Sequence, residues 1–174
     1  MTAHSQISQD LMKLLFLGLI ALIFILLGVT ILLGIWRTLK VQNSPFQQEF
    51  LRGKVSPGFN GFYKGTVTSI KTNWQGKKFI ASKSAGINIF KDQDGEHEKY
   101  PFKTYTGKGL QDSINVLKID YSNNKDPWWL RFILDELVEA SPGKYLGKVH
   151  IQIFPGLGFT LGYFRLEKNT PSLP

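Results

Sequence analysis

The chain has 174 residues, no cysteine, three histidines and a net charge of +8. Without cysteine there is no thiolate chemistry, no disulfide framework and no Cys-based zinc site. Arginine occurs only at Arg37, Arg52, Arg131 and Arg165, so the basic surplus lacks the clustered Arg and aromatic platform of a nucleic-acid surface, and nucleic acid is not expected as a partner.

In chain order, residues 1–13 read as a short tail, and Leu14 to Trp36 form an uncharged apolar run. As a helix the run would extend roughly 35 Å, enough to cross a hydrocarbon core of about 30 Å with some tilt. A cleaved leader needs a shorter apolar core, a basic start and a small-residue cleavage site. Here Lys13 alone precedes the run and Ile35-Trp36-Arg37 closes it, so a retained single-pass span is expected. Arg37, Lys40, Arg52 and Lys54 follow the span. Basic residues are held on the cytoplasmic side, which predicts an outside N-terminus and a cytoplasmic main domain. From Arg37 to Lys91 ten basic residues stand against Glu49 alone, whereas residues 92–174 hold ten basic and eleven acidic ones. A basic block beside a span suits anionic headgroups, and a lipid bilayer is the first expected partner.

Residues 37–58, with Pro45, Gly53, Pro57 and Gly58, read as a basic juxtamembrane linker. The folded domain is expected over 59–168, with a short tail at 169–174. Its two-residue period predicts strands at Phe62–Ile70, Lys78–Ser84, Ile87–Phe90, Lys99–Tyr105, Ile114–Tyr121, Lys144–Phe154 and Phe159–Lys168. Turns are expected within Trp74–Lys77, at Asp92–Gly95 and at Gly156–Gly158. In Ile114–Tyr121, Leu117, Ile119 and Tyr121 share one face and Lys118 and Asp120 the other. In Lys144–Phe154, Tyr145, Val149, Ile151 and Ile153 oppose Lys148, His150 and Gln152. The apolar faces should point inward and the polar ones to solvent. One segment breaks the pattern. Asp126 as a cap, Pro127, and Leu130, Ile133, Leu134, Leu137 and Val138 at helical spacing predict an amphipathic helix over Pro127–Ala140, stopped by Pro142-Gly143.

The expected fold is therefore mainly β: a small antiparallel barrel or strongly curved sheet with one amphipathic helix, preceded by one transmembrane helix. Gly61-Phe62-Tyr63-Lys64-Gly65 opening the first strand and Phe159–Lys168 closing the last resemble the calycin type, the lipocalin-like and fatty-acid-binding-like barrels. That resemblance implies a barrel over 59–168 with an apolar ligand inside. Asp135-Glu136-Leu137-Val138-Glu139 and Pro142-Gly143-Lys144-Tyr145-Leu146-Gly147-Lys148 also resemble a segment of bacterial proteins with no assigned activity.

The search for chemistry yields little. Asp135, Glu136 and Glu139 as an acid/base set reduce to a charged helix face. His4, His97 and His150 are far apart, and the acidic stretch Asp92–Glu98 places its glycine wrongly for a calcium loop. No nucleophile elbow or phosphate loop is present, so no catalytic residue, metal or cofactor is expected. A ligand could be held by Tyr63, Trp74, Tyr121 and Tyr163 as walls, with Lys118, His150 and Arg165 orienting its polar head. Trp128 and Trp129 are the candidate partner-binding residues. The expected role is a membrane-anchored, non-catalytic domain binding a lipid or other hydrophobic small molecule. The alternatives are an accessory or assembly subunit of a larger membrane complex and, third, an enzyme on a lipophilic substrate using Asp135 or His150.

Overall fold

The computed structural model describes residues 3–56, 58–67, 72–122 and 126–168. The chain divides into two compact units, Met1–Arg37 and Thr38–Pro174. Helix α1 (Ala3–Gln42) accounts for the first and lends its last residues to the second. Over Gln9–Gln42 it is long and apolar enough to cross a membrane, with a mean hydropathy of 3.0 in its most apolar window. Its one mid-span hydroxyl, Thr30, donates to the Leu26 carbonyl at 2.8 Å, which satisfies the polar atom within the helix as a lipid environment requires.

The second unit is a closed barrel of eight antiparallel strands in sequence order: β1 (Gly61–Val67), β2 (Trp74–Ile80), β3 (Ala85–Asp92), β4 (Gly95–Lys108), β5 (Asn115–Asp120), β6 (Ile133–Ser141), β7 (Lys144–Phe154) and β8 (Leu157–Lys168). β1 closes the ring on β8 through Gly65 opposite Leu166 and Val67 opposite Phe164. The fold is consistent with a calycin-like barrel. Its interior is a cluster of rings and branched chains, among them Phe59, Tyr63, Phe79, Phe102, Tyr121, Tyr145 and Phe164, with Ile119, Leu137 and Leu166. Ring centroids follow one another at 4.7–5.8 Å from Tyr145 through Phe59, Phe79 and Phe102 to Tyr121. A glycine on the neighbouring strand makes room for one of these rings. Gly147 faces Phe164, and a Cβ there would lie 2.1 Å from its ring.

The segment read as a linker contains helix α2 (Pro45–Arg52), opened by Pro45 in its first turn. α2 lies on the outside of the barrel, where Phe50 is fully buried with Val41, Val116, Val138, Leu146 and Tyr163. Burying that ring contributes about 2 kcal/mol. Arg165 clasps Glu49 with two hydrogen bonds of 2.9 and 2.7 Å, and Lys54 bridges to Glu139 at the far end.

The expected helix over Pro127–Ala140 is a correction. A short 3-10 turn at Trp128–Phe132 leads directly into strand β6. The cause is double burial. Ile133, Asp135 and Leu137 face the interior, while Leu134, Glu136 and Val138 face outward beneath other chain, and all from Leu134 to Val138 are buried. A strand covered on both faces loses its alternation, and its apolar residues can then fall at helical spacing. The turn expected within Trp74–Lys77 is strand β2 with a bulge, where Gly76 takes φ +139°. Residues 68–70 of the first predicted strand lie outside the described residues.

Candidate functional site

The wall formed by β5 to β8 carries polar groups on both sides, and each side has its own network. Inside the barrel, Lys77 of β2 is surrounded by the faces of Trp74, Phe102, Tyr121 and Phe164 at 5.1–5.5 Å. Its Nζ lies 3.0 Å from Asp135 Oδ2 and donates to Asn88 Oδ1 at 2.9 Å and to the Tyr121 hydroxyl. Tyr121 in turn donates to Asp135 Oδ2 at 2.8 Å, and Trp74 Nε1 to Asn88 at 3.0 Å. Asn88 Nδ2 reaches the carbonyl of Tyr100, a residue held at φ +58° where β4 bulges away from β3. The strained residue is thereby tied to the network. Burial pushes the Lys77 ammonium below its usual range, and Asp135 partly restores it. Burial also raises the Tyr121 phenol well above 10, with the Asp135 carboxylate adding to the rise. The arrangement is an ion pair in an aromatic cage, stabilised by cation–π contact and by satisfied hydrogen bonds.

On the outside, the β4–β5 loop at 109–114, the end of α1 and α2 fold over the wall. Lys148, fully buried, pairs with Asp112 and donates to Gln47 Oε1 at 2.9 Å. Gln47 also accepts from the Tyr163 hydroxyl at 2.6 Å and donates to Asp112 at 2.8 Å. Burial raises the Tyr163 phenol, and Asp112 adds to it. Beside this cluster Glu136 Oε1 accepts from the Leu110 amide and lies 3.5 Å from Lys118 Nζ. Glu136 Oε2 lies 3.3 Å from His150 Nε2, and the two atoms have no aligned hydrogen bond among the described residues. His150 Nδ1 and the Thr160 hydroxyl are 3.1 Å apart, and the Thr160 amide donates to Thr38 Oγ1 at 2.9 Å. Hydroxyl, imidazole and carboxylate in that order suit nucleophilic catalysis, but Thr160, His150 and Glu136 are all fully buried. A substrate has no path to the hydroxyl, and the row acts as a strut between β6, β7, β8 and the end of α1.

The sequence-predicted ligand residues are therefore divided by the sheet. Tyr63, Trp74 and Tyr121 line the interior, whereas Tyr163, Lys118, His150 and Arg165 are on the outer side. They do not converge on one site. The facing was read correctly for Lys118 and His150, but the expected solvation fails. His150 and Lys148 are fully covered, because the chain from Thr38 to Arg52 and the 109–114 loop occupy the outer face. Trp128 and Trp129 are exposed on the 3-10 turn that precedes β6. Sequence reasoning missed Lys77, Asn88 and Asp135 as a set. The available signal was a lysine between Trp74 and Phe79 on a half-buried strand.

A hollow of about 280 Å³ is at the barrel end where β1 begins, lined by Val55, Phe59, Phe79, Ile80, Tyr105 and Leu117 among others. Phe59 also packs at a tilt against Tyr63, Phe79 and Tyr145, with ring centroids 4.7–5.3 Å apart.

No known protein family matches the chain, and no curated protein matches its sequence. Its fold is similar to a crystal structure of a protein from Thermomonospora curvata, with a TM-score of 0.52 and 15% identity, over 71% of this chain and 85% of that one. At that identity the likeness concerns the fold alone.

Proposed function

We propose that the protein is a membrane-anchored, non-catalytic barrel that binds a lipid or other small hydrophobic molecule at its mouth. The observation that carries the reading is the position of Phe59. Phe59 both lines the hollow of about 280 Å³ and belongs to the aromatic core, and it comes from a segment outside the strands, so it can withdraw without breaking a ladder bond. Ligand sites of this kind are apolar with a few placed polar groups, and the Lys77–Asp135–Tyr121 cage supplies such groups deeper in the barrel. The basic surplus after the span supports a cytoplasmic barrel facing anionic headgroups.

Native mass spectrometry of the full chain released from detergent micelles tests this. One stoichiometric lipophilic adduct is expected, reduced in Phe59→Trp, whose larger ring fills the hollow. A chain without an adduct overturns the reading. The continuous packing of rings inside the barrel would then favour the second reading, an accessory subunit of a larger membrane complex.

A further inference from the structure

Among the described residues beyond α1, eight large apolar side chains are exposed, and six of them, Trp128, Trp129, Phe132, Ile153, Phe154 and Leu157, are at one end of the barrel. Two elements bring them together. The 3-10 turn runs into Ile133, which pairs with Ile151, so the turn stands beside the end of β7. Phe154 and Leu157 face each other across the β7–β8 turn. Trp128 and Phe154 are 69% and 65% exposed. Both elements are turns at the end of the sheet, a 3-10 turn before β6 and the connection between β7 and β8.

The chain enters the barrel unit beside this end. Thr38 is fastened to the Thr160 amide, three residues into β8 from Leu157, a distance of about 10 Å along a strand. Trp36, which closes the apolar run, is two residues before Thr38, about 3 Å along a helix. These links keep Leu157 about three strand residues from the point where the chain enters the barrel unit at Thr38. The chemistry agrees. No acidic residue occurs in 127–134 or in 151–160. Arg131 donates Nε to the Trp128 carbonyl at 2.7 Å and holds its guanidinium 5.7 Å from the Phe132 ring, a cation set among rings that suit the headgroup level.

We propose that Trp128, Trp129, Phe132, Phe154 and Leu157 insert into the headgroup layer of the bilayer that α1 crosses, with Arg131 at the level of the lipid phosphates. This surface is at the opposite end of the barrel from the hollow over Phe59, and the inference holds whether or not that hollow binds a ligand.

The native chain lacks cysteine, so a single introduced cysteine is a unique attachment point. Nitroxide labels on Phe154→Cys and Leu157→Cys would be read in the full chain, reconstituted in phosphatidylcholine vesicles containing phosphatidylglycerol. Tyr105→Cys, at the Phe59 end, is the comparison. The two tip labels should be relaxed by oxygen and should lose most of the relaxation by aqueous nickel chelate that the label at 105 shows. Nickel relaxation at 154 and 157 equal to that at 105 would overturn the proposal. Shielding from both reagents would also overturn it, and would mean that a second copy of the chain covers the tips. Both replaced side chains are largely exposed, so the variants should fold, which a far-UV circular dichroism spectrum equal to that of the native chain checks.

Discussion

Asp135 and Glu136 are neighbours in sequence, yet one belongs to the inner network and the other to the outer. The inner one is buried and caged, with Lys77 held by rings and by three polar partners. The outer one is assembled from a loop, two helix segments and four strands, and Lys118 is a partly exposed member. The comparison teaches that burial in this barrel comes from two independent sources. The interior is buried by closure of the sheet, whereas the outer face is buried because the chain from Thr38 to Arg52 and the 109–114 loop lie on it.

The sharpest way to separate the two is to remove one charge from each. Lys77→Met should cost about 3–5 kcal/mol, since it leaves Asp135 uncompensated among rings. The double change Lys77→Met with Asp135→Leu should recover most of that. Urea unfolding of the full chain in detergent, followed by tryptophan emission, reads both; a double variant no better than the single one would mean that Asp135 is not held by Lys77 alone. Lys148→Met should cost about 3 kcal/mol, at the lower end for a broken buried pair, because Asp112 sits on a loop that can turn toward water. It should also expose the 109–114 amides to hydrogen exchange while leaving those of β2 protected. Gly147→Ala tests how tightly the interior is filled. The Phe164 ring must move, and a loss of about 1–3 kcal/mol is expected in the same unfolding assay.

Alkaline pH sharpens the comparison further. Tyr121 inside and Tyr163 outside both have phenols raised above the ordinary 10. Above pH 10 the unfolded chain loses these protons while the folded chain keeps them, so stability falls as pH rises, by about 1.4 kcal/mol per pH unit per tyrosine. Lys77, lowered by burial, acts in the opposite direction only up to its ordinary 10.5. Tyr121→Phe and Tyr163→Phe should each remove one such slope from melts recorded above that pH. An unchanged slope in Tyr163→Phe would mean that the outer network opens before the barrel does. The smallest effect is expected at Arg165→Lys, which replaces a two-pronged contact with Glu49 by a single one at a partly exposed site, for under about 1 kcal/mol.

Much of the barrel was legible in the sequence. Lys144–Phe154 was read with the bounds that β7 has, and the facing of Leu117 and Ile119 against Lys118 held, because β5 keeps one apolar and one polar face. β6 was not legible, since Asp135 and Glu136 are both buried and alternation is lost. α2 escaped because Phe46 and Phe50 alone of its eight residues carry an aromatic stripe, too short to register as periodic. The two networks were hidden for a different reason. Lys77 and Asp135 are separated by most of the barrel in sequence, and only the closing of the ring brings them together.

Every strand pairing but one joins neighbours in the chain, and the exception is the seam between β1 and β8. Pairings between near neighbours form readily, whereas a contact between distant segments must await closure of a long loop. The seam needs Leu166 and Lys168 opposite Gly65 and Tyr63, so a chain growing from its N-terminus cannot complete the ring until its last strand has been made. Until then the rings of Phe79, Phe102 and Tyr121 have no finished enclosure, at a stage when the apolar helix has already been synthesised. The final twelve-residue strand is therefore the step that commits this chain to its folded state, and a nascent chain arrested before Phe159 should be cut by protease at sites that the complete barrel protects.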